Sequence, residues 1–385
     1  MSKAPGIEAD AVAPPPGAAA PPEALQAAPA SATAEAASRH AKAASGVAGT
    51  ASGVAGTASS LFGTASNPAE TASNPAETAS SPAGAASPAE IASLLEKTSR
   101  TFALAIPLLP EPTRSQVGIA YLLFRIADTF EDAELWPRAG KLDALAAFDQ
   151  LLRRPDPEAA RRAAERWLAE PPCADAGYLE LLRRAPAVLA AFWALDPGPR
   201  QLIGEHTRRT VAGMARFVRR ADAAGELALA DFDDLKAYCY VVAGIVGEML
   251  TELFLHGRQA LGPVRSFLRE RSARFGEALQ LVNIIKDSLA DSRHGRRFLP
   301  AGSDLAEVVT LARQDLRVAM HYTLSLQRAG APRGIVAFVA LPVRLAEATL
   351  DLIEQRGPGV KLSRPDVARI VADLDQALDQ GLPAV

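Results

Sequence analysis

The chain has 385 residues, 49% of them hydrophobic, with 41 Lys and Arg against 44 Asp and Glu for a net charge of −3. That near-neutral balance excludes a general nucleic-acid binder, whose affinity rests on a basic face, while the apolar content is enough to bury a sizeable core. The two cysteines, Cys173 and Cys239, lie far apart, which excludes a disulfide scaffold and a thiolate zinc site and suits a reducing compartment.

Residues 1–89 are rich in Ala, Gly, Ser and Pro, with Phe62 as their one aromatic, and from Ser45 they repeat every seven residues as SGVAGTA, SGVAGTA, SSLFGTA, SNPAETA, SNPAETA, SSPAGAA. A coiled coil needs two large apolar positions per heptad, which are missing, and Pro68, Pro75 and Pro82 would break each helix. Such a tract buries too little to offset chain entropy, so a disordered extension is expected. Its start, MSKAPGIEADAVAPPPGAAA, has no apolar signal core. No segment is expected to reach the roughly 20 apolar residues that span a bilayer. The most apolar stretch, Tyr240 to Leu250, holds Glu248 and two glycines. The chain therefore reads as cytoplasmic, with peripheral contact at a membrane surface left open.

From residue 90 to 385 good helix formers dominate, amphipathic segments such as DALAAFDQLLRR recur, and neither a strand pattern nor a Gly-rich nucleotide loop is present. A single all-α domain is expected. Within SQVGIAYLLFRIADTFED, Tyr121, Arg125, Asp128 and Asp132 are spaced four, three and four, which puts them on one face, with Glu131 beside them. A charged stripe on an apolar helix is either a salt-bridge network or the wall of a metal site. Two carboxylates one turn apart suit Mg²⁺ whose remaining ligands are phosphate oxygens and waters. A second stripe, Gln280, Asn283, Asp287 and Asp291, spaced three, four and four, lies among Leu279, Leu281, Ile284 and Ile285. Facing carboxylates repel unless cations sit between them, so two such helices could cradle Mg²⁺ and a diphosphate. Arg100, placed where a helix could start after Thr98 or Ser99, and Arg293, Arg296 and Arg297 supply anion-binding charge. In KAYCYVVAGIVGEMLTELF, Tyr238, Val242 and Val246 recur every four residues, and Gly244 and Gly247 fit either a tight helix crossing or room for a long apolar ligand. The histidines at 40, 206, 256, 294 and 321 show no ligand spacing.

These segments together resemble the squalene/phytoene synthase family over about residues 90–375. TSRTFALAIPLLP is similar to the family's opening segment, YLLFRIADTFEDA to its first aspartate motif, YCYVVAGIVGEML to its Tyr-Cys-x-x-Val-Ala-Gly-x-Val-Gly segment, and LQLVNIIKDSLADSRHGRRFLP to its second aspartate motif. GMARF and VAFVALPVRLAEATL add weaker similarity. The resemblance implies an isoprenoid synthase fold, a single helical domain around a central cavity. It implies Mg²⁺-dependent head-to-head condensation of two allylic diphosphates, most often farnesyl diphosphate, through presqualene diphosphate. By the same resemblance Asp128, Glu131 and Asp132 bind Mg²⁺ on one wall and Asp287 and Asp291 on the other. Ser99, Arg100, Thr101, Phe102, Tyr121, Arg125, Val242, Val246, Gln280 and Asn283 hold substrate, and Tyr238 handles the proton of cyclopropane closure. Phe102, Tyr121, Tyr238 or Phe254 is placed to stabilise a carbocation. A squalene synthase also takes NADPH, for which Arg100, Arg125, Lys286, Lys361 and Arg364 are the candidate basic residues. Three positions depart from the family pattern: Ala290 replaces a Glu, Lys286 an Arg, and Ser363, in VKLSRPDV, a residue that is commonly basic. The rivals are a phytoene or dehydrosqualene synthase, which needs no NADPH, and a non-catalytic assembly factor. An Asp-Asp-x-x-Asp pair, expected of a head-to-tail elongase, is absent.

Overall fold

The computed structural model describes residues 84–99, 101–222, 227–293, 298–300 and 302–385, with the side chains of 290–293 left out. Arg100, Arg296, Arg297, His294 and the extension up to residue 83 with its repeats lie outside the described residues. Those described form an all-α domain with no β-strand.

Thirteen α-helices run in chain order among the described residues: α1 (Pro88–Thr98), α2 (Phe102–Ala105), α3 (Thr113–Glu131), α4 (Arg138–Arg153), α5 (Pro157–Ala169), α6 (Ala176–Trp193), α7 (Pro197–Arg220), α8 (Phe232–Cys239), α9 (Ile245–Leu255), α10 (Arg265–Arg293), α11 (Leu305–Arg328), α12 (Arg333–Arg356) and α13 (Arg364–Asp379). A π-helical turn, Tyr240–Gly244, joins α8 to α9. The domain opens on a capping box: Ser87 accepts from the Glu90 amide at 3.3 Å, and its own amide donates to the Glu90 carboxylate at 2.9 Å. Two reciprocal bonds of this kind satisfy amides that a helix start leaves unpaired.

Two groups of helices frame the interior. Helix α3 packs against α1, α6 and α7; α10 packs against α9, α11, α12 and the π turn. Helix α9 touches both α3 and α10 and so stands between the two stripe-bearing helices.

The run Phe232–Leu255 is 24 residues long and holds an 18-residue stretch of mean hydropathy 1.5, which by length and composition alone is enough to cross a bilayer. This corrects the expectation that no segment reaches that length. Read alone, Tyr240 to Leu250 looked too short, because α8 and the turn that precede α9 extend the helical run. Most of it lies buried within the domain, as a core helix does.

The choice between a tight crossing and ligand space at the glycines falls to the crossing. A Cβ on Gly247 would lie 2.0 Å from the Ser272 carbonyl oxygen, and one on Gly276 2.0 Å from that of Ala243. Here α10 meets the π turn and α9 backbone to backbone, which only glycine allows.

Candidate active site

Between Gln116 and Phe130 every residue of α3 is buried except Tyr121, Arg125 and Asp128, which are half-buried. Glu131 and Asp132 continue the half-buried face at the helix end. The charged stripe is thus the one accessible face of a buried helix. Tyr121 donates its hydroxyl to the Thr98 carbonyl at 3.2 Å, tying the stripe to the end of α1. Arg125 Nη2 donates to the Tyr121 hydroxyl at 2.9 Å, and Nη1 lies 3.4 Å from Asp128 Oδ2. Its Nε is buried with no hydrogen-bond partner among the described residues. Burial pushes the Asp128 carboxyl up to about 6; Arg125 opposes that shift and Asp132 adds to it. An ionised Asp128 therefore sits in a place that favours a nearby cation.

Tyr238 comes to this stripe from α8. It is 5% exposed, with Phe217 of α7 edge-on at 5.2 Å and Phe298, just beyond α10, stacked at 4.8 Å. Its hydroxyl reaches Glu131 Oε1 at 3.5 Å. Burial, then the charges of Glu131, Asp132 and Asp128, hold the phenol well above its ordinary range, so it stays protonated and acts as a donor. The π turn that follows is locked by Thr210, which donates to the Val241 carbonyl at 3.0 Å, and by Arg209, which bonds the Tyr240 hydroxyl at 2.6 Å and Glu248 at 2.8 Å. A π turn widens the spacing, so Tyr238, Val242 and Val246 do not stack at α-helical register. Tyr238 is buried, whereas both valines are half-buried against the core.

On α10, Gln280 is half-buried, Asn283 is exposed and the Asp287 side chain is 45% exposed. Lys286 bonds Asn283 Oδ1 at 3.0 Å and pairs with Asp287 Oδ2 at 3.2 Å. Asp291 lies within α10, but its side chain is outside the described residues. Tyr121, Arg125 and Asp128 make no hydrogen bond or ion pair with Gln280, Asn283 or Asp287 among the described residues. Phe298, just beyond α10, stacks on Tyr238 beside the first stripe, and α9 touches both stripe-bearing helices.

The remaining candidates sort by position. Ser99, just past the end of α1, accepts through Oγ from the Phe102 amide, the first of α2, at 2.9 Å. The helix that follows α1 begins at Phe102, and Arg100, for which a place at such a start is expected, lies outside the described residues. Thr101 and Phe102 are half-buried, with the Phe102 ring 5.5 Å from that of Tyr121. Phe254 is 1% exposed and packs edge-on against Phe338, so it is a core residue with no face for a carbocation. Lys361 and Arg364 are exposed on a segment held to the second stripe by the Gly359 amide, which donates to the Lys286 carbonyl at 2.9 Å. Ser363 has a local reason for being serine: it forms a capping box with Asp366 at the start of α13.

Three residues at the first stripe carried no candidate role in the sequence. Phe217 and Phe298 lie within quoted motifs, but nothing local shows that their rings meet on Tyr238. Tyr178 has no motif at all, yet its ring lies 5.8 Å from the Arg125 guanidinium carbon.

The donors at α3 are hard carboxylate oxygens. Among the described residues no three Asp, Glu, His or Cys side chains converge to enclose an ion. Carboxylate oxygens are the kind of donor that Mg²⁺ takes, alongside waters and phosphate oxygens.

Residues 95–305, more than half of the chain, match the family model for squalene/phytoene synthase. The chain belongs to the squalene/phytoene synthase family. Squalene synthase 1 of Arabidopsis thaliana is 31% identical over 309 residues, 72% of this chain and 69% of that protein. Squalene synthase LSS of Botryococcus braunii is 35% identical over 198 residues, 51% of this chain but only 38% of its own length. A protein named inactive squalene synthase 2, from Arabidopsis thaliana, is 31% identical over 199 residues, 52% of this chain and 43% of that protein. Among solved structures, the ligand complex of TcSQS is 26% identical with a TM-score of 0.57, covering 76% of this chain and 89% of that one. The isoprenoid synthase fold expected from the family motifs is therefore the fold of the domain. The similar proteins include ones named squalene synthase and one named inactive, so activity must be argued from the site.

Proposed function

We propose that this chain is a prenyltransferase that joins two farnesyl diphosphates head to head through presqualene diphosphate, with Mg²⁺, and then forms squalene with NADPH. The observation that carries this reading is the stripe itself: the sole accessible face of buried α3 holds Arg125, Asp128, Glu131 and Asp132, and Tyr238 delivers a protonated hydroxyl to Glu131 from another helix. A structural salt-bridge network would spend its cation fully on its carboxylates, yet Arg125 keeps Nε unpartnered among the described residues.

Asp128, Glu131 and Asp132 would hold Mg²⁺ on one side and Asp287 and Asp291 on the other. When bound, Mg²⁺ supplies the positive charge that stabilises a departing diphosphate, and NADPH supplies hydride. Arg125 and Tyr121 bind diphosphate oxygens, and Ser99, Arg100, Thr101, Gln280 and Asn283 are the further candidates for holding substrate. Phe102, Val242 and Val246 face the prenyl chain and keep water from the carbocation. Tyr238 and Glu131 move the proton lost at ring closure. Lys286, Lys361 and Arg364, drawn to one side by the bond from Gly359 to Lys286, and Arg100 and Arg125 are the basic groups for NADPH phosphates.

The test is incubation of the purified full-length chain with Mg²⁺ and either farnesyl or geranylgeranyl diphosphate, each with and without NADPH, and product identification by mass. Presqualene diphosphate without reductant and squalene with it are expected. Dehydrosqualene unchanged by NADPH, or phytoene from geranylgeranyl diphosphate alone, would replace this reading with its rival. No product under any condition would favour the non-catalytic reading.

A further inference from the structure

Tyr178 lies in the first turn of α6, and three helices place it. Asp175 caps α6 by accepting from the amides of Gly177 at 2.8 Å and Tyr178 at 3.0 Å. A Cβ on Gly177 would stand 2.6 Å from the Lys97 carbonyl oxygen, so a glycine here lets the start of α6 press onto the end of α1. The end of α1 is also where Tyr121 is tied, through the Thr98 carbonyl. Tyr178 and Tyr121 are thereby brought to one guanidinium, their ring centroids 5.8 and 5.5 Å from the Arg125 carbon.

We propose that Tyr178 is a positioning residue that holds Arg125 for a diphosphate. A guanidinium has five N–H donors. Among the described residues, Arg125 spends one on the Tyr121 hydroxyl, has Asp128 at 3.4 Å, and leaves Nε buried and unpartnered. The Arg125 side chain keeps 27% of its surface exposed, so an anion can accept from its outward Nη groups and add to the hydrogen bonds that the cation makes. A second carboxylate in Tyr178's place would consume those donors. A ring attracts the cation through its π system and consumes none. The two tyrosines therefore fix the guanidinium while leaving N–H groups for diphosphate oxygens, which Arg binds in bidentate fashion.

This inference rests on the diphosphate reading above, and the experiment keeps the two apart. The full-length protein and its Tyr178→Phe and Tyr178→Leu variants are titrated with inorganic pyrophosphate and Mg²⁺ by calorimetry. Turnover of farnesyl diphosphate and thermal unfolding are measured alongside. Tyr178→Leu is expected to weaken pyrophosphate about 3- to 30-fold, the equivalent of roughly 0.6–2 kcal/mol, and to raise KM more than it lowers kcat. Tyr178→Phe, which keeps the ring, should stay within about threefold of wild type. In an Arg125→Gln background the effect of Tyr178→Leu should vanish, because the tyrosine acts through the arginine. Tyr178→Met, also without a ring, serves for the same comparison should Tyr178→Leu not fold.

Unchanged pyrophosphate binding in the ring-less variants overturns the role of Tyr178 and leaves the diphosphate site standing. So does a loss that Tyr178→Phe shares, or one that persists without Arg125, since the hydroxyl would then be the contact. Failure of the wild-type protein to bind pyrophosphate with Mg²⁺ sinks the diphosphate reading and this inference with it.

Discussion

Asp128→Asn separates a carboxylate kept for a cation from one kept for the fold. Burial, against the pull of Arg125 and with the push of Asp132, raises this carboxyl from 3.8 to about 6. Two units at about 1.4 kcal/mol each make roughly 3 kcal/mol the ceiling on the cost of ionising it in the folded state. The side chain keeps 29% of its surface exposed, so about 1–2 kcal/mol is the realistic figure once solvent screening is counted. Below about pH 3 the carboxyl is protonated whether the chain is folded or not and the cost is absent, and at about pH 4 only a small part of it has appeared. From there to about pH 6 the folded state binds more protons than the unfolded one, so stability falls as pH rises, and above about pH 7 the whole cost is present. Asparagine carries no charge at any pH. The variant should match wild type in Tm near pH 4 and exceed it at pH 8 by roughly 2–6 °C. Turnover should fall about 10²–10⁴-fold, the share of leaving-group stabilisation that one lost metal ligand represents. Thermal unfolding followed across pH 4–8, with and without Mg²⁺ and pyrophosphate, checks both halves. A variant less stable than wild type at pH 8, or a Tm difference that does not change with pH, would refute the reasoning and make Asp128 a structural ion-pair partner.

Tyr238→Phe keeps the ring between Phe217 and Phe298 but removes the hydroxyl near Glu131; turnover should drop about 10²–10⁴-fold with Tm nearly unchanged, and a fully active variant would end the proton-handling role. Gly276→Ala forces a methyl group against the Ala243 carbonyl oxygen, and a loss of at least about 3 kcal/mol in denaturant unfolding is expected; an unchanged midpoint would mean that the helices do not touch there. Glu277 is pushed up to about 7, by burial first and then by Asp315, with Glu248 adding and Arg274 and Lys236 opposing, so Glu277→Gln should raise Tm at pH 8 and lose that gain near pH 4. An equal effect at both pH values would contradict the burial argument. Removing residues 1–83 should leave Tm and turnover close to those of the full chain, and loss of activity would show that the repeats do more than extend it.

The polar stripe on α3 was legible because its cause is local. Spacings of four, three and four give one face on any helix, and Tyr121, Arg125 and Asp128 are indeed the half-buried positions in an otherwise buried run. Gln280, Asn283 and Asp287 of the second stripe are accessible too, and the all-α class was legible from the same periodicity. Other features depend on what each element meets. Gly247 reads equally well as ligand space until its neighbour, the Ser272 carbonyl, is known. Phe254 has the composition of a cavity wall and the position of a core residue. Ser363 reads as a lost basic group, and in place it caps a helix.

Helix periodicity and residue chemistry therefore decided, before any fold, which faces are polar and which kind of ligand they suit, because a helix repeats every 3.6 residues whatever surrounds it. Only the packed domain decided that Tyr238 points at Glu131, that Phe298 closes over it, and that Tyr178 stands on Arg125. Those meetings join residues 53 to 107 positions apart, and no local period encodes them; they follow from which helices find complementary surfaces across the core.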